Sequence, residues 1–288
     1  MKGKVIKCVG GLFTVLSESG SVNKCTSPKK LRYNDNDVYI GDNVEYEVVR
    51  GKGQIVSLLE RKNLLLRPVI ANVDQVFILL SIVPEPDLLL IDKVLINCYK
   101  QNITPILIIN KIDLADQAFL DSIKSNYGSF VKLCFVSAKT EEGTENIKML
   151  LNGKTTVLCG QSAVGKTSLL NIIIPEHGGE IGELSAKIER GKNTTRHSQV
   201  FNCCGGYIAD TPGFSLLTLL DVKATELMLY YPDFCDFSSK CRFNMCSHTK
   251  EPDCNVKKAV ANGQLSSCRY ERYLDLYKEL IELENDKY

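Results

Sequence analysis

Apolar residues recur in three rhythms along this chain. Over residues 1 to about 65 they come in short runs, at 4–8, 12–16, 38–40, 44–49 and 54–59, cut by turns at Gly10-Gly11, Ser19-Gly20, Gly41-Asp42 and Gly51-Lys52-Gly53. Five short strands in so small a unit predict a barrel, and the OB-fold is the common solution. From about residue 66 the runs lengthen and lose their alternation. Residues 74–83 (DQVFILLSIV) are nearly all apolar, as a parallel strand covered on both faces should be. Strands are predicted likewise at 105–109, 131–136, 155–159 and 206–209, with helices at 88–99, 118–127, 144–151 and 168–173. Strand alternating with helix predicts a doubly wound α/β sheet with its ligand at the carboxyl ends of the strands. Near the C-terminus the period becomes helical again, at 256–261 and 270–283. In the second segment Tyr270, Tyr273, Leu274, Tyr277, Leu280 and Ile281 form one stripe, read as core. A multidomain chain follows: an N-terminal β-barrel over 1–65, a central α/β unit over 66–220 and a mostly helical unit over 221–288.

Charge changes this picture little. The 288 residues carry a net charge of +1, so any nucleic-acid surface must be local. One such set is Lys24, Lys29, Lys30 and Arg32, a solvated loop on its plainest reading and a place for RNA on a barrel. No run is long and apolar enough to span a bilayer, and the first residues, MKGKVIKCVGGLF, lack a signal-peptide core. A cytoplasmic protein without membrane contact is expected. In a reducing compartment the twelve cysteines favour metal over disulfides.

The candidate chemistry centres on Gly160, Gln161, Ser162, Ala163, Val164, Gly165, Lys166 and Thr167, followed by Ser168: G-x-x-x-x-G-K-[ST] between a strand and a helix, a phosphate-binding loop. The glycines permit backbone that side chains block, so that several N–H groups converge on phosphate at a helix N-terminus. Lys166 is expected to reach the terminal phosphates and Thr167 to ligate Mg²⁺. At the end of the 105–109 strand stand Asn110, Lys111 and Asp113 of NKID. A carboxylate there accepts two N–H bonds from guanine, a pair that adenine does not offer. Asn110 is expected to brace the loops and Lys111 to pack over the base. Ser137, Ala138 and Lys139 (SAK) end the next strand and would supply a backbone N–H to the guanine oxygen. After the phosphate loop, KNTTRH holds Thr194 and Thr195, candidates to reach Mg²⁺ when the γ-phosphate is present, with Thr195 preferred. Asp210-Thr211-Pro212-Gly213 is a D-x-x-G. Asp210 would bind Mg²⁺ through water, and Gly213 would give its N–H to the γ-phosphate.

The order is unusual, because NKID and SAK precede the phosphate loop. A packed sheet does not depend on where its loops are cut, so a GTPase can be circularly permuted if its old ends are joined. The D-x-x-G switch then leads directly into Cys241-x4-Cys246-x-His248-x5-Cys254, three thiolates and an imidazole that make a closed, structural zinc set.

Taken together, the barrel, NKID, SAK, GQSAVGKTSL, GKNTTRH, DTPGF and the cysteine–histidine set ending in EPDC resemble one family over nearly the whole chain. It is the circularly permuted, small-ribosomal-subunit-dependent GTPases of bacteria known as RsgA or YjeQ. The resemblance implies a monomer that hydrolyses GTP to GDP, acts late in maturation of the small (30S) subunit, binds its 16S rRNA and is stimulated by it. Asn193 stands where many members have a histidine, and Phe214 stands where many GTPases have a water-orienting Gln. His197 is therefore the catalytic candidate. Ala163 replaces a usual Gly. The other readings are a zinc-containing RNA-binding module that uses GTP only as a sensor, and an ATPase or small-molecule kinase, against which NKID argues.

Overall fold

The computed structural model describes residues 1–28, 37–66, 69–174, 199–210, 219 and 222–286. Thr194, Thr195, His197, Gly213 and Phe214, with Lys29, Lys30 and Arg32 of the basic set, lie outside the described residues, and Asp210 is described by its backbone alone.

The barrel is built from β1 (Lys2–Val9), β2 (Leu12–Ser17), β3 (Val22–Thr26), β4 (Asn43–Val49) and β5 (Lys52–Leu58), hydrogen-bonded in the order β1-β2-β3-β5-β4 and closed by β1 pairing with β4. The β3–β5 pair is parallel and the rest are antiparallel, an OB barrel around Val5, Phe13, Val15, Cys25, Val44, Tyr46 and Ile55. One strand differs from the sequence reading. Residues 38–40 form no strand. Val38 and Ile40 are buried, yet Ile40 makes only an isolated bridge to Ile70. The missing strand is β3, which takes in Lys24 of the basic stretch. Only Cys25 of its five residues is buried, and its other apolar residue, Val22, is exposed.

A short hairpin, β6 (Leu64–Leu66) and β7 (Val69–Ala71), leads to the α/β unit. Five parallel strands, β8 (Gln75–Ser81), β9 (Thr104–Asn110), β10 (Lys132–Phe135), β11 (Thr155–Gly160) and β13 (Gly206–Asp210), are joined by the antiparallel β12 (Gln199–Cys203) in the order β10-β9-β8-β11-β13-β12. Strand β8 shows why its sequence lacks alternation. Val76, Ile78 and Leu80 face one core layer and Phe77 and Leu79 the other. The first layer is covered by α1 (Leu88–Lys100) and α2 (Gln117–Tyr127), whose first turns are capped by the Asp87 and Asp116 carboxylates. The second is covered by α3 (Thr144–Leu151) and α4 (Lys166–Ile173). The register Lys7↔Gln199 joins β1 to β12, so barrel and α/β unit share one sheet.

The C-terminal part has 3₁₀ turns at Ala224–Tyr230 and Pro232–Phe234, then α5 (Cys235–Ser238), α6 (Asn255–Ala261) and α7 (Ser267–Asn285). Its core of Leu227, Tyr231, Phe234, Val256, Tyr273, Leu276 and Leu280 also takes in Ile96 of α1. Next to it the Arg269 guanidinium, 2% exposed, donates to Asp92 Oδ1 (2.7 Å) and to both oxygens of Asp233 (2.7 and 3.1 Å), while Arg272 Nε donates to Asp92 Oδ2 at 2.6 Å. Among the described residues no helix is long and apolar enough to cross a membrane.

Candidate nucleotide site and metal centre

The loop after β11 is shaped by two glycines. Gly160 has φ +142 and a Cβ there would lie 2.3 Å from Leu79 O; Gly165 has φ +99 and a Cβ there would meet Asn110 Nδ2 at 2.3 Å. Ala163 takes φ +64 without being glycine, a left-handed conformation in which its Cβ crowds the backbone. Val164 between them is fully buried and anchors the loop in the core. Helix α4 begins at Lys166, with its N-terminus at the loop. Lys166 Nζ donates to Gly160 O (2.8 Å) and Gln161 O (2.5 Å), so its ammonium already lies across the loop. Ser162, Ala163, Thr167 and Ser168 are exposed on the rim.

The other side of the rim is made by the ends of β9 and β10. Asn110 is 1% exposed; its Nδ2 donates to Val164 O at 2.8 Å and its Oδ1 accepts from Ala138 N at 3.0 Å. One side chain thus fastens the phosphate loop to the SAK loop. Lys111, with φ +61, donates from Nζ to Ala163 O and to Val83 O, both at 2.7 Å. Its alkyl stem is thereby stretched along the rim. Ser137 is buried, and its Oγ donates to Asp113 Oδ1 at 2.6 Å and accepts from Thr140 N at 3.2 Å, which orients an otherwise exposed carboxylate. Lys139 is exposed beside it.

Sequence reasoning missed a third contributor, the β8–α1 connection. Val83 O holds Lys111, and Asp87 N donates to Gln161 Oε1 at 3.0 Å. Asp87 before an apolar run signals a helix start, but nothing in that signal says which loop its backbone touches.

The sequence-predicted metal ligands also come together. One ligand atom from each of Cys241, Cys246, His248 and Cys254 lies within 4.8 Å of all the others. Cys241 Sγ is 3.9 Å from Cys254 Sγ and 3.7 Å from His248 Nδ1, and Nδ1 is 3.3 Å from Cys254 Sγ. A tetrahedral ion with bonds of about 2.3 Å to sulfur separates its ligands by roughly 3.5–3.8 Å, so the spacing fits one small cation. Burial pushes the Cys246 thiol up to about 12 and raises Cys254, while it lowers His248. Neutral imidazole is the ligating form, and a divalent cation is what holds buried thiols as thiolates. The surrounding loop is pinned. Tyr270 Oη donates to His248 O (2.6 Å) and Tyr273 Oη to Ser247 O (2.7 Å); Glu251 accepts from Ser247 N, Ser247 Oγ and Thr249 N, bonds that hold its carboxyl down at about 2 against burial. Asn255 N donates to Cys241 Sγ at 3.3 Å. Cys235 and Cys268 are exposed and outside the cluster.

A family model described as RsgA GTPase matches residues 58–220. The chain is 40% identical to the small ribosomal subunit biogenesis GTPase RsgA of Clostridium acetobutylicum, covering 100% of each. It is 38% identical to the protein of the same name from a Geobacillus species, covering 98% of each. Among solved structures it is similar to YjeQ from Thermotoga maritima (TM-score 0.84, 36% identity, 97% of this chain and 98% of that one). It is also similar to YloQ, described as a circularly permuted GTPase (TM-score 0.82, 34% identity, 98% and 95%).

Proposed function

This chain belongs to the RsgA GTPase family, and from that premise we propose that it hydrolyses GTP as a late assembly factor of the small (30S) ribosomal subunit. It binds the 16S rRNA, works as a cytoplasmic monomer and is stimulated by the subunit. The observation that carries this reading is the Asn110 brace, which ties the phosphate loop, NKID and SAK into one rim. We divide the labour as an RNA-binding barrel over 1–65, a permuted GTPase over 66–220 and a zinc domain over 221–288.

The phosphates sit against the backbone from Gly160 to Thr167, at the N-terminus of α4. Lys166 exchanges the Gly160 and Gln161 carbonyls for β- and γ-phosphate oxygens. The Asp113 oxygen left over by Ser137 reads the guanine N–H edge, which lies over the Lys111 stem. Thr167, Thr195 with Thr194 as its alternative, and Asp210 are the residues that would hold Mg²⁺, which neutralises phosphate charge when bound. Water attacks the γ-phosphorus, the bond to the bridging oxygen breaks, and its electron pair goes to GDP. Gly213 N–H stabilises the transferring group, and His197 orients the water in place of the missing Gln. Zinc is the ion assigned to Cys241, Cys246, His248 and Cys254, where it is structural because all four positions are filled by protein.

The test is single-turnover GTP hydrolysis by wild type and His197→Ala, each with and without purified small subunits. Slow hydrolysis by the free protein and strong stimulation by subunits, lost in the variant with GTP binding intact, are expected. Turnover that subunits do not change overturns the assembly-factor reading, and full stimulation of the variant removes His197.

A further inference from the structure

Between Cys241 and Cys246 the chain runs Arg242-Phe243-Asn244-Met245, and all four residues are exposed. Phe243 is 43% and Met245 77% exposed, although the loop is held at both ends. Cys246 is 3% exposed, Asn255 N bonds to Cys241 Sγ, and the Asn255 amide donates to Lys240 O. A pinned loop that offers an aromatic ring and a thioether to solvent gains nothing for its own core. Single exposed apolar residues are ordinary, but two in one short, clamped loop mark a contact surface.

The charge around it selects the partner. Residues 240–258 hold five cations against two carboxylates, in a chain whose whole net charge is +1. Lys240, Arg242, Lys250 and Lys258 are exposed. The Arg242 guanidinium lies 5.7 Å from the Phe243 ring centroid. Its ion pair with Asp253, at 3.4 Å, joins side chains 68% and 56% exposed and is weak enough to exchange for phosphate. A planar cation beside an open ring, with further cations within reach of a backbone, is the arrangement that sandwiches an unpaired base. Apolar protein contacts have no need of that charge.

We infer that the loop from Arg242 to Met245 is a stacking platform for one unpaired RNA base, with Phe243 as the stacking ring, Met245 as its apolar edge and Arg242 as the partner of the adjoining phosphate. This rests on the small-subunit reading above and assigns a recognition element that the reading leaves open.

The test uses the full-length protein, with metal content checked for each variant. Wild type, Phe243→Ala, Phe243→Leu and Phe243→Tyr are titrated onto small subunits, onto naked small-subunit rRNA, and onto a short single-stranded RNA carrying 2-aminopurine. Expected are quenching of the 2-aminopurine by wild type and Phe243→Tyr. Phe243→Ala and Phe243→Leu should bind subunits and naked rRNA about tenfold or more weakly, the loss of one stacked base. Subunit binding unchanged in Phe243→Ala overturns the platform and leaves the proposed function standing. Full affinity in Phe243→Leu overturns stacking. Weakening on intact subunits but not on naked rRNA assigns the loop to a ribosomal protein instead and overturns the RNA assignment. A wild type that binds neither subunits nor RNA overturns both.

Discussion

Replacing Asn110 by Ala removes one buried and one part-buried hydrogen bond, at 2.8 and 3.0 Å, from a side chain 1% exposed. Each is worth about 0.5–1.5 kcal/mol net, and the stranded Ala138 N–H adds about 1–3 kcal/mol if water does not reach it. Val164 O retains a second lone pair and adds less. The total is about 2–6 kcal/mol, roughly 30- to 20,000-fold in an equilibrium constant. It falls on two observables. If the rim stays closed, the whole cost appears in the urea midpoint. If the loops part to let water in, stability recovers and GTP affinity falls instead. Fluorescent-nucleotide titration and urea denaturation of the same variant therefore have to add up to that total. Asn110→Asp separates the two bonds: it keeps an acceptor for Ala138 N but turns an oxygen toward Val164 O, and should be at least as damaging as Asn110→Ala. An Asn110→Ala protein with affinity within about twofold and stability within about 0.5 kcal/mol of wild type would refute the brace.

Asp113→Asn should move preference from GTP toward xanthosine triphosphate, because donor and acceptor exchange at the base edge; a wild type that binds ATP as tightly as GTP sinks the assignment. Protein purified without chelators should hold one zinc per chain by metal analysis, and Cys254→Ser or chelation should melt the helical C-terminal signal before the α/β sheet, since metal binding is folding energy in so small a unit. Ala163→Gly should raise the urea midpoint by the equivalent of up to about 1 kcal/mol, since it relieves a left-handed Ala, and a drop would mean that the Cβ is used in packing. Affinity for small subunits should fall as salt is added, through lost phosphate contacts, and binding indifferent to salt counts against the RNA reading.

Periodicity reached the parallel sheet because both faces of β8 and β9 are covered, which makes an unbroken apolar run. The motifs at the strand ends followed from chemistry, and the permutation from their order. What stayed hidden has physical reasons. Strand β3 faces the barrel core with one residue, so its other positions read as loop. Strand β12 gains its place by pairing with β13 and β1, and β1 lies at the far end of the sequence. Val83, Asp87 and Gln161 enter the rim through backbone groups or one amide, which carry no hydropathy signal. Arg269 is buried between two carboxylates and Arg272 is bonded to one of them, so neither cation is free for RNA, pairings with distant residues that no local pattern signals.

Asp92 has a history during synthesis. It leaves the ribosome with α1, about 140 residues before Asp233 and about 180 before Arg272, yet in the finished molecule it is fully buried and bound to both arginines. Until α7 emerges, Tyr127 Oη, at 2.9 Å, is the one side chain among the described residues in place to bond to it, while Ile96 beside it already packs with the Ala224–Tyr230 turn. A chain that lacks the last helix loses both arginine partners of Asp92 and the cover they give it. The seal at Asp92 thus ties the α/β unit to a helix about 180 residues further along the chain.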